Sequence, residues 1–131
     1  MELEIELFKC QSEFTSITSS LDDIPLVCWK RNAHSKLITY INLAFETEVL
    51  QPLGLSKFDL LYKQDESVFG KEYSEKYLES FNYVLNTGKS ITRVEPSIDK
   101  DGIIHEWRTT KYPIFKDGRV ESVGGISYKI D

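Results

Sequence analysis

The sequence predicts an α+β domain: a five-stranded antiparallel sheet, helices on one face of it, and an amphipathic helix ahead of it. Three observations predict this. Residues 90–129 hold three apolar-rich runs, parted by Lys100-Asp101-Gly102 and Lys116-Asp117-Gly118, where glycine suits the positive φ of a tight turn. Two shorter runs, "LVCWKR" and "LITYI", flank the turn "NAHSK" and form an earlier hairpin. Between the two strand groups, "KEYSEKYLESFNYVLNT" has the period of a helix and not of a strand.

The first element is the N-terminal helix. Leu3, Leu7, Cys10, Phe14, Ile17, Leu21 and Ile24 alternate spacings of four and three, and Pro25 ends the run. Its "TSITSS" stretch has weak helix propensity, so packing must hold that half. The stripe suits a helix docked on its own domain, or one shared with a second copy. In the second case Leu3, Leu7, Cys10, Phe14, Ile17 and Leu21 form a homodimer interface. The chain divides into this flanking helix, 1–22, and a domain of residues 23–131.

The domain opens with strands at 26–31 and 37–41. Asn42 is suited to cap a short helix through "LAFETEVL", which stops before Pro52-Leu53-Gly54. "SKFDLLYKQDES" reads as short helical turns and loop. The long helix spans 71–87, with Tyr73, Tyr77, Phe81 and Val84 on one face and Gly88 as its stop. Strands at about 90–99, 103–115 and 119–129 complete the sheet.

Composition narrows the function. A chain of 131 residues makes one domain, and 40% apolar residues are enough for a core. A net charge of −5 argues against a nucleic-acid surface. No apolar run reaches the ~18 residues of a spanning helix, and Met1 precedes acids and not a basic signal region, so a soluble cytoplasmic domain is expected. Cys10 and Cys28 show no metal spacing and read as buried free thiols. His34 and His105 have no nucleophile at elbow spacing, and Asp22-Asp23 and Asp65-Glu66 suit capping and solvation better than acid–base work. No enzyme is expected.

The phrases "LITYINLAFETEVLQPLG", "FDLLYK", "YLESFNYVLNTGKSI" and "IDKDGIIHEWRTTKYPIFKDGRVESVGGISYKID" resemble the PAS (Per-Arnt-Sim) domains of bacterial sensory proteins. The resemblance covers about residues 20 to 131. It implies a sensor whose small ligand or cofactor sits between the sheet and the long helix. Lys129-Ile130-Asp131 stands where such domains begin the linker to an output domain, such as a histidine kinase, a diguanylate cyclase or a DNA-binding transcription regulator. The chain thus reads as a module of something longer. Haem-binding relatives place an iron-ligating His on the long helix, and light-sensing LOV relatives place a Cys before it. Residues 71–87 hold no His and "YKQDESVFG" holds no Cys, so haem and a covalent flavin adduct are not expected.

Alignment of the final strands to LOV relatives, with their period of two, turns Trp107, Thr109 and Lys111 toward the helices, together with Arg93, Glu95, Ser97 and Ser127. So many polar groups must pair with one another or bind something polar or anionic. The bland reading has Lys111 and Arg93 pairing with Glu95 at a rim and binding nothing. Phe45, Phe58, Leu61, Tyr77, Phe81 and Val84 are the expected apolar wall, and the facing of Trp29 is left open. The expected function is ligand sensing with relay to an output domain. The alternative is a ligand-free PAS scaffold for homodimerisation. A cone-shaped α+β enzyme would need a convergent His/Asp/Tyr set that the sequence lacks.

Overall fold

The structure, a computed structural model, describes residues 21–130. The strands are β1 (Val27–Asn32), β2 (Ile38–Ile41), β3 (Ile91–Ile98), β4 (Ile104–Lys116) and β5 (Arg119–Lys129), and burial alternates along the first half of β4. They form one antiparallel sheet, as the sequence predicts, and its order is β2-β1-β5-β4-β3. Asp117 and Gly118, at φ 53° and 77°, close the β4–β5 hairpin. Two consecutive positive φ values match the twist of the strands they join.

Between β2 and β3 come α1 (Leu43–Phe45), α2 (Glu66–Phe69) and α3 (Lys71–Thr87). Asn42 starts α1 and is 1% exposed. Its side-chain oxygen accepts the backbone N–H groups of Cys28 and Phe45, both at 3.0 Å. Its amide donates to the carbonyls of Leu21 and Leu26. One side chain thus ties the domain entrance, the first strand and the first helix together. The helix expected through residue 50 widens into a π turn at Glu46–Leu50 and then a 3-10 turn at Gln51–Leu53, where Pro52 has no N–H to offer.

α3 has the predicted bounds, but its buried side is Ser74, Ser80, Phe81 and Val84, with Tyr77 half-buried. Tyr73 stands at the edge of that face, with the ammonium of Lys76 5.6 Å from its ring centroid. One core cluster gathers Val27, Ile38, Ile41, Phe45, Leu50, Leu60 and Trp107. A second gathers Phe81, Val84 and Val123 beneath α3. Cys28 is buried, with its thiol 3.6 Å from the Leu26 carbonyl.

Leu3, Leu7, Cys10, Phe14 and Ile17 lie outside the described residues. Leu21 belongs to a 3-10 turn, Leu21–Asp23, so the expected helix does not run as α-helix up to Pro25. On the sheet face away from the helices, Val94, Ile98, Ile104 and Tyr128 are exposed.

Candidate ligand-binding site

Residues of all five strands build the floor of a cavity: Val27, Trp29 and Arg31 from β1, Ile38 from β2, Glu95 and Ser97 from β3, Trp107, Thr109 and Lys111 from β4, and Ser127 from β5. Phe45, Val49, Phe69 and Tyr77 close it from the helical side. The cavity volume is about 80 Å³. The rings of Trp29 and Phe45 meet edge to face at 5.9 Å, and those of Phe69 and Tyr77 at 5.4 Å.

Two ion pairs lie in this wall, and both are buried. The Lys111 ammonium sits 2.9 Å from Glu95 and donates to the Ser80 hydroxyl and the Tyr77 carbonyl. All three of its N–H directions are therefore used. Burial pulls the Lys111 pKa down to about 8, against the opposing pull of Glu95. Arg31 bonds Asp65 at 2.7 Å and the Lys36 carbonyl at 2.8 Å, with its guanidinium 5.6 Å from the centre of the Phe81 ring. The other Asp65 oxygen accepts from Ser74 on α3.

The remaining polar groups also pair. Thr109 and Ser127 share a hydrogen bond of 2.6 Å, and the Trp107 indole donates to Ser97 at 2.8 Å. Tyr77 donates its hydroxyl to the Pro96 carbonyl, and burial raises its pKa well above the usual phenol range. Among the described residues, no buried side-chain nitrogen or oxygen lacks a partner. The cavity is thus aromatic and electrically neutral, with its charges spent inside its own wall.

The bare backbone of β5 lets the rings lie close. A Cβ on Gly125 would fall 2.2 Å from the Trp29 ring on the cavity side. A Cβ on Gly124 would fall 2.3 Å from the Tyr112 ring on the opposite face.

The structure aligns with the PAS domain of a protein from Colwellia psychrerythraea at a TM-score of 0.70 and 16% identity, over 89% of this chain and 96% of that one. It aligns with VqmA of Vibrio cholerae, a LuxR-type receptor, at a TM-score of 0.72 and 18% identity, over 89% of this chain and 51% of VqmA. A Rhodobacter sphaeroides LOV protein aligns at 0.69 and 12% identity, over 92% of this chain and 68% of that one. The chain has the PAS fold. It spans about half of the VqmA chain. No protein-family model matches its sequence, and no curated protein does.

On this PAS fold, the structure brings Lys111, Thr109, Ser127, Trp107, Glu95, Tyr77 and Phe45 together around the cavity. Five expected residues stand elsewhere. Leu61 packs against the first core cluster and Val84 lies in the second, and neither lines the cavity. Phe58 is 71% exposed, because the 3-10 turn at Lys57–Asp59 gives the inward position to Leu60. Arg93 has the expected parity, but its long side chain reaches Glu79 at the surface, 3.5 Å away, and not Glu95. Phe81 is buried in the second cluster and does not line the cavity. Trp29 faces inward. The sequence reading missed Arg31, Val49 and Phe69 in the lining, and it gave Asp65 to solvent, although Asp65 is 4% exposed. The signal for Arg31 was present: it shares the parity of Val27 and Trp29 on a short strand.

Proposed function

We propose that this PAS fold is a sensory module that takes a small, mainly apolar molecule in the cavity between sheet and α3 and passes its presence to an output domain of a longer protein. The aromatic, charge-neutral cavity carries this reading. A neutral pocket lined by rings rewards apolar contact and gives no counter-ion to a free charge. The fold's neighbours support it in kind: VqmA is described as a receptor and as bound to DPO. We read the module as non-catalytic and cytoplasmic. Neither haem nor a light-driven flavin adduct belongs to the reading, since the cavity lining offers no His or Cys. A Soret band, or visible absorbance that bleaches under blue light, would contradict it.

The test is mass spectrometry of the gently purified protein before and after denaturation. A stoichiometric small molecule released on denaturation supports the sensor. A clean apoprotein that no metabolite stabilises supports the second reading, a scaffold for homodimers. The complete internal pairing of the wall favours that second reading. Either role is compatible with dimerisation through Leu3, Leu7, Cys10, Phe14, Ile17 and Leu21. Sedimentation of the intact chain over a dilution series tests it. A 15.2 kDa species throughout rules the dimer out, and Leu7→Glu with Phe14→Glu should give a folded monomer.

A further inference from the structure

The inner cavity, at about 80 Å³, is smaller than the roughly 150 Å³ that admits a benzene ring. A second cavity of about 140 Å³ adjoins it. Val49, Phe69, Ser97 and Trp107 belong to both. Trp107 is therefore a partition, held by its bond to Ser97 and by the Lys129 ammonium, 5.7 Å from its ring centroid.

The two halves differ in charge. The inner half is neutral because Lys111 and Arg31 are consumed by Glu95 and Asp65. An anionic ligand on Lys111 would have to compete with a carboxylate already in place. In the outer half, Asp99 and His105 are bound to each other at 2.9 Å, and the other Asp99 oxygen accepts two backbone N–H groups. Glu48 and Lys129 also face this outer cavity, and neither makes an ion pair among the described residues. A carboxylate without an ion pair and an ammonium engaged only with the Trp107 ring, at the mouth of an apolar chamber, are complementary to a zwitterion with an apolar tail.

We propose that the outer cavity is the second half of the binding site, which takes a small α-amino acid with an apolar side chain. The side chain enters the inner chamber, the carboxylate meets Lys129, the ammonium meets Glu48, and Trp107 moves aside from Ser97. Lys129 ends β5 and stands opposite Trp107 in the ladder, so a ligand here touches the last residue of that strand. This inference rests on the inner cavity being a ligand site.

The experiment titrates the intact chain with four probes that share an isobutyl group: L-leucine, 4-methylpentanoate, 3-methylbutylamine and 3-methylbutan-1-ol. NMR follows the Trp107 indole N–H. Leucine should bind at least tenfold more tightly than the alcohol and shift the indole resonance. Lys129→Gln should weaken leucine and the acid while sparing the amine. Glu48→Gln should weaken leucine and the amine while sparing the acid. If the alcohol binds and leucine binds no more tightly, or if neither substitution changes any affinity, the outer half is refuted and the inner site stands. If none of the four probes binds, this proposal is refuted, and the inner site stands or falls on the mass spectrum alone.

Discussion

The ammonium of Lys111 lies 2.9 Å from Glu95, although Glu95 stands opposite Trp107 in the ladder and Lys111 stands opposite Ile91. The lysine side chain therefore runs along the inner sheet face to reach its partner, and Ser80 of α3 bonds both members of the pair. The pair joins the helix to two strands at the cavity wall.

Breaking this pair from one side leaves a buried charge without a partner. Lys111→Met alone should cost about 3–5 kcal/mol in urea melts. Lys111→Met combined with Glu95→Leu should recover most of that loss, since two apolar chains then fill the volume. A double variant no more stable than the single one would show that the pair is not what holds this wall.

The same lysine sets a pH dependence. Its folded pKa of about 8 lies below the unfolded value of ~10.4, because burial outweighs Glu95, with the Arg31 and Arg93 charges adding to the depression. Between these values the unfolded chain binds more protons than the folded one, so the lysine's contribution to stability rises with pH from about 8 upward. Below about 8 its burial cost is constant. Urea midpoints at pH 7, 8 and 9 should show wild type gaining on the Lys111→Met, Glu95→Leu variant as pH increases. Raised pKa values at Cys28, Tyr40 and Tyr112 act in the opposite sense and are common to both proteins. A constant difference would contradict the depressed pKa.

Gly125→Ala should be costly without altering any backbone preference. Its Cβ would meet the Trp29 ring at 2.2 Å, so the ring must move, at about 1–3 kcal/mol. Trp29→Leu should make the alanine nearly harmless, and a double-mutant cycle reads the coupling directly. Additive effects would place the strain elsewhere.

The two phenylalanines should behave oppositely. Phe81, 1% exposed, should lose ~3–5 kcal/mol on replacement by alanine. Phe58, 71% exposed, should lose less than about 0.5 kcal/mol. Chemical denaturation of both variants settles the contrast.

The sheet was legible because alternation is a local property: once the resemblance to LOV relatives faces Lys111 inward, the same parity faces Thr109 and Trp107 inward. The C-terminal limit of α3 was legible from Gly88. Phe58 was not legible, because "FDLL" offers apolar residues at several angles and a single turn does not fix which one is buried. Asp65 was not legible either, since its partner Arg31 is 34 residues away and only the finished fold brings them together. Side-chain reach also escapes parity, which faced Arg93 correctly but could not show that it would meet Glu79.

Where Gly124 and Gly125 follow one another in β5, Trp29 lies on one face of the sheet and Tyr112 on the other. No side chain of β5 cushions either ring there. Between the two rings the wall is a single peptide layer. A ring pressed downward from within bears on peptide planes, which cannot fold away as a side chain does. A shift of Trp29 would therefore reach Tyr112 through backbone alone.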